Sequence, residues 1–75
     1  MGTSRLHLTF PGHLASEPIL HQVASEFGLV TNIRRANIED RGGWVIVEVE
    51  GDDAQVEAAV AWLADRGLQV DRIDD

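Results

Sequence analysis

Hydrophobic spacing in this chain alternates between a period of two and a period near 3.6, and that order of periods fixes the fold class. "RLHLTF" alternates cleanly, with Leu6, Leu8 and Phe10 on one face and Arg5, His7 and Thr9 on the other. This is a half-buried strand, ended by "PGH". Ile19, Leu20, Val23, Ala24 and Phe27 then recur at helical spacing from about Glu17 to Phe27. Ser16 is the expected N-cap, Pro18 sits in the first turn, and Gly28 suits the left-handed position that ends a helix. "GLVTNIRRANIED" reads as the second strand and "WVIVEVE" as the third, joined by a hairpin turn "EDRGG" whose two glycines are free to take positive φ. Val45, Val47 and Val49 face the core; Trp44, Ile46, Glu48 and Glu50 face away. Asp52 is the expected cap of a second helix, with Gln55 as its capping-box partner. Val56, Ala59, Val60 and Leu63 form the buried stripe of that helix, and Gly67 closes it. "LQVDRI" makes a short fourth strand with Leu68 and Val70 inward.

The order is βαββαβ. Right-handed crossovers turn it into an α+β, ferredoxin-like sandwich. Its antiparallel sheet has strand order 4-1-3-2, with two helices on one face. The second strand carries a parity fault. Ile33 belongs on the core face, yet Ala36 and Ile38, also suited to it, have the opposite parity. One extra residue must be absorbed near Arg34–Arg35, and a β-bulge on an edge strand does this. Asn32 then points to the open face of the sheet, away from the helices.

The 75 residues make one expected domain, 1–75. At ~0.05–0.15 kcal/mol per residue, stability should be roughly 4–11 kcal/mol. The ends, Met1–Thr3 and Ile73–Asp75, are expected to be loose. Thirteen acidic against six basic residues give a net charge of −7, which disfavours nucleic acid and anionic membrane surfaces as partners. The chain has no cysteine, so disulfides, iron–sulfur clusters and thiol nucleophiles are excluded. "WVIV", the longest apolar run, is far too short to span a bilayer. With no apolar run of signal-peptide length in the first ten residues, a cytoplasmic location is expected.

No catalytic constellation is present. His7, His13 and His21 fall on a strand, a loop and a helix, without metal-ligand spacing. Ser16 and Ser25 lack a surrounding motif. Glu39–Asp40 and Asp52–Asp53 follow from turn chemistry and the helix dipole. No phosphate loop is present. No enzyme, metal or cofactor is therefore expected. Arg34–Arg35 reads as a charge-protected strand edge. Trp44 and Ile46 place apolar surface on the outer face of a central strand, which marks an interface candidate or a rim tryptophan lying flat. Trp62 falls on the flank of the second helix's stripe.

The segments "LTFPG", "EPIL", "FGLVTNI", "VIVEVEG", "AAVAWL" and "RGLQV", in this order over Leu6 to Val70, resemble the NIL domain. The family's Asn-Ile-Leu triplet reads Asn32-Ile33-Arg34 here, so the third position departs from the pattern. The resemblance implies a regulatory domain of methionine importer ATPases, paired as a dimer and binding methionine. It also implies that Asn32 is a polar ligand contact. Ligand-site candidates are therefore Asn32 and Ile33, together with Gly12, His13 and Leu14. Backbone amides in the loop of those last three could hold a carboxylate. The leading expectation is a non-catalytic module for an amino-acid-like ligand, methionine first, linked to methionine uptake or sulfur metabolism. The alternative is a module that docks to an iron–sulfur or sulfur-transfer protein without a metabolite. A homodimer is expected in which Trp44 and Ile46 contribute the interface.

Overall fold

The structure is a computed structural model and describes residues 2–73. Met1, Asp74 and Asp75, at the ends expected to be loose, lie outside the described residues. Gly2 and Thr3 already belong to β1 (Gly2–Pro11), and the Ile73 amide donates to the Arg5 carbonyl at 2.9 Å. A 3-10 turn (Gly12–Leu14) leads to α1 (Ile19–Phe27). Next come β2 (Val30–Glu39), β3 (Gly42–Gly51), α2 (Asp53–Asp65) and β4 (Gln69–Arg72). The sheet order is β2-β3-β1-β4, the order expected from the sequence, and all pairings are antiparallel.

The core lies between the sheet and the two helices. Leu6, Leu8 and Phe10 of β1 and Val45, Val47 and Val49 of β3 meet Ile19 and Val23 of α1 and Val56, Ala59 and Leu63 of α2. Leu14, Leu29 and Leu68 close the ends of this layer. Trp62 is half-buried, edge-on to Phe27 at 5.8 Å, with the Arg66 guanidinium 4.7 Å above its ring. Exposed ion pairs tie the periphery together. Arg66 meets Glu17 at 2.8 Å, holding the end of α2 against the approach to α1, and Arg72 of β4 meets Glu57 of α2. Such pairs contribute about 0–1 kcal/mol each.

Two local expectations are corrected. Ser16 does not cap α1: the helix begins at Ile19, with Pro18 in the cap position and no side-chain cap bond. Ser16 and Glu17 lie in the preceding turn, where Glu17 N–H donates to the Leu14 carbonyl. Asp52 does stand at the N-cap of α2, but without a side-chain bond, so the capping box with Gln55 is absent. The hairpin glycines also differ from each other. Gly42 has φ +117°, whereas Gly43 is not at positive φ. Gly43 is required for space instead, since a Cβ there would lie 2.1 Å from the Asn37 carbonyl oxygen.

Candidate functional site

The bulge is where the parity argument places it. Ile33 pairs with Val47, Arg35 pairs with Ile46, and the register shifts between them. Arg34 is the extra residue. The shift keeps Ile33, Ala36 and Ile38 on the helix side, opposite or beside Val47 and Val45. Asn32 pairs with Glu48 and so lies on the open face, as expected.

Burial on β2 does not follow from its parity. Ile33 is 55% exposed and Ile38 43% exposed although both face the helices, and Val30 on the open face is 63% exposed. α2 packs towards β3 and β4, while the nine-residue α1 meets the ten-residue β2 only sparsely. An apolar groove of 310 Å³ remains between α1 and β2, lined by Pro18, Leu20, Ile33, Ala36 and Ile38 among others. It adjoins a second hollow of 280 Å³ formed by Gly12, Ala15, Ser16, Ile38, Glu39 and Asp40.

The expected ligand-site residues are thus divided. Gly12 and Ile33 line adjoining hollows on the helix side. Asn32 is exposed on the opposite face of β2. His13 is exposed, and Leu14 is 4% exposed and belongs to the core, so its side chain is not available to a ligand. Gly12 has a packing role of its own, since a Cβ there would sit 3.1 Å from the Arg41 carbonyl of the hairpin turn. The carboxylates of Glu39 and Asp40 beside it make this hollow a poor place for a ligand carboxylate. The three-residue turn is too short to have the macrodipole of a helix.

Trp44 and Ile46 are half-buried. Trp44 is stacked on His7, with ring centroids 5.7 Å apart and planes at 16°. The large apolar residues that stand exposed are Val30, Ile33 and Ile38 of β2.

The open face also holds a charge cluster. Glu48 meets Arg5 at 2.8 Å and Arg34 at 3.1 Å. The hydrogen bond from Arg5, assisted by the charges of Arg34 and Arg5, holds the Glu48 carboxyl below its ordinary value despite some desolvation. Beside this network, Arg5, Arg34 and Arg35 surround Ile46 and Ile73 in a cleft of 330 Å³. The available sequence signal was the pair of adjacent arginines at the parity fault. Among the described residues there is no group of three or more His, Cys, Asp or Glu arranged to hold a metal. No helix among them is long and apolar enough to cross a membrane.

Comparison with known proteins places this geometry in context. A crystal structure of the C-terminal domain of an ABC transporter ATP-binding protein from Enterococcus faecalis superimposes with a TM-score of 0.84, covering 96% of this chain and 84% of the other, at 22% identity. Methionine import ATP-binding protein MetN 1 of Salmonella choleraesuis is 30% identical over 70 residues, which are 88% of this chain and 20% of the relative. MetN of Streptococcus agalactiae is 30% identical over 74 residues, 93% of this chain and 21% of the relative. The chain spans about a fifth of the length of these curated relatives. The NIL domain family model matches residues 4–72. A match over nearly the whole described chain, with the βαββαβ order and the Asn32-Ile33 pair in place, means that the chain belongs to the NIL domain family.

Proposed function

We propose that this chain is a non-catalytic regulatory module of a methionine-uptake system, acting in the cytoplasm, which pairs with a second copy and binds an amino-acid-like ligand, methionine first, at β2. One observation carries the reading. β2 is an unpaired sheet edge ten residues long with three exposed large apolar residues, Val30, Ile33 and Ile38. Exposed apolar residues on a strand edge are a liability in a monomer, and a twofold partner removes it by covering the same strand on both copies. An apolar groove beside Ile33 suits a thioether side chain; Asn32, which the resemblance assigns to polar contact with the ligand, lies on the opposite face of the same edge strand, so a ligand that touches both has to straddle the edge where the second copy pairs. The net charge of −7 on each copy opposes pairing, so the dimer should tighten as salt rises.

Two outcomes are expected. In NMR titration with millimolar L-methionine, shifts should centre on Asn32 and Ile33, and Asn32→Ala should weaken binding by about tenfold, the equivalent of roughly 1.4 kcal/mol. No shift on β2 at millimolar ligand would sink the ligand reading and leave a protein-docking module in its place. For assembly, light scattering should give a dimer mass at millimolar protein, and Ile33→Asp should shift it to monomer with the circular dichroism unchanged. A monomer mass at micromolar and millimolar protein, with and without methionine, rules the dimer out.

A further inference from the structure

In a regular strand, Arg34 and Arg35 would point to opposite faces. The bulge removes that alternation. Arg34 reaches Glu48 on the open face, and Arg35 stands opposite Ile46 on the same face. Two consecutive guanidinium groups are thereby aimed at one cleft, which Arg5 of β1 completes from the other side of Ile46. Bulges re-aim side chains in this way beside functional sites. All six basic residues of the chain are arginines, and half of them converge here.

The cleft gathers positive charge in an acidic molecule. The chain as a whole carries −7, yet three guanidinium groups line this cleft, and Glu48 pairs with two of them, Arg5 and Arg34. That carboxylate already accepts from both Arg5 and Arg34. Arg35 makes no ion pair among the described residues, and it is exposed. Between the arginines lie Ile46 and Ile73, both half-buried, so the floor of the cleft is apolar while its walls are cationic. A guanidinium fork binds a planar carboxylate in bidentate fashion, and the apolar floor takes a short hydrocarbon chain.

We infer that the open-face cleft formed by Arg5, Arg34, Arg35, Ile46 and Ile73 is a binding site for a small organic carboxylate anion with an apolar stem. This site is separate from the helix-side groove and does not depend on methionine binding there. Arg35 receives the carboxylate, with Arg34 beside it held in place by Glu48. Ile46 and Ile73 take the stem. A zwitterionic amino acid fits less well, because its ammonium group would face the arginines.

The test uses one stem with three charges: hexanoate, hexanamide and hexylammonium, titrated against the full chain by NMR, with inorganic phosphate as an anion lacking a stem. Hexanoate should shift the amides of Arg35, Ile46 and Ile73, and bind at least tenfold more tightly than the other three probes. Arg35→Gln should weaken hexanoate about tenfold, as loss of a hydrogen bond to a charged group does, while Arg41→Gln, in the hairpin turn, should leave it unchanged. Raising the salt to about 1 M, where charges are screened beyond about 3 Å, should weaken hexanoate binding as well. Equal binding of hexanoate and hexanamide, shifts centred elsewhere, or an unaltered affinity in Arg35→Gln would overturn the assignment. L-methionine shifts at Ile33 that survive Arg35→Gln would leave the methionine reading intact while this one fails. Hexanoate binding without any response to methionine would do the reverse.

Discussion

Leu8→Ala is expected to remove at least about a third of the stability of this domain. Leu8 is 0% exposed, in the middle of β1, with Val45 of β3 opposite it on one side and Val70 of β4 on the other. It is held by strands on both flanks and by helices above, so the surroundings have little freedom to collapse into the space left behind. A large-to-small change at such a site costs roughly 2–5 kcal/mol, the upper part of the range applying where collapse is restricted. The whole domain should have only about 4–11 kcal/mol to lose. Urea unfolding followed by tryptophan fluorescence reads the change, with Trp62 against Phe27 as a reporter inside the packed layer. At roughly 4–8 °C per kcal/mol for a domain of this size, the melting temperature should fall by more than about 10 °C. Ile33→Ala supplies the contrast. The same kind of truncation at a side chain 55% exposed should cost less than about 1 kcal/mol. A shift under about 1 kcal/mol for Leu8→Ala would mean that β1 is not the centre of the core.

The difference between Leu8 and Ile33 is also the difference between what the sequence could and could not tell. Both residues have the right parity for the helix side. Parity is a property of the strand alone, and it located the bulge at Arg34, because Ile33 and Ala36 cannot share a face without it. Coverage is a property of where the helices land. α1 is nine residues long and does not cover β2, and nothing in the alternation of β2 records this. The same limit explains the site. Asn32 was assigned to the open face by counting, but the separation of Asn32 from Gly12 and Leu14 needs the pairing of β1, β2 and β3 to be seen together. Leu14 was taken from a loop as a ligand contact. It is buried because the turn Gly12–Leu14 folds back over the core, a tertiary contact with no local signature. The arginine cleft was legible only as two adjacent charges; Arg5 and Ile73 join it across three strands.

Gly42→Ala should be the most damaging substitution at any glycine in the chain. Three glycines separate the possible causes. Gly28 has φ +63° but open space where a Cβ would go, so Gly28→Ala should cost only about 1–2 kcal/mol, the ordinary penalty of a left-handed alanine. Gly43 is not at positive φ, but its Cβ would meet the Asn37 carbonyl oxygen at 2.1 Å and the Ile38 Cα at 2.7 Å. Those atoms belong to β2, an edge strand that can swing outward, so Gly43→Ala should loosen β2 while sparing the rest. Gly42 combines both difficulties. Its φ of +117° lies outside the left-handed helical region that other residues tolerate. Its Cβ would also fall 2.4 Å from the Phe10 carbonyl oxygen and 3.3 Å from the Gly12 nitrogen. Phe10 is on central β1, paired at Gly43 and anchored in the core at 6% exposure, so it cannot yield as β2 can. Backbone strain of ~1–3 kcal/mol plus a clash against fixed backbone should total roughly 3–5 kcal/mol, at least about a quarter of the stability expected for the domain. Hydrogen exchange distinguishes the three variants: Gly28→Ala should leave protection in β1 and β3 intact, Gly43→Ala should lose it in β2 alone, and Gly42→Ala should lose it throughout the sheet. Full protection of β1 in Gly42→Ala would show that the hairpin end relaxes independently of the core, contrary to the packing of the Gly12–Leu14 turn against Arg41.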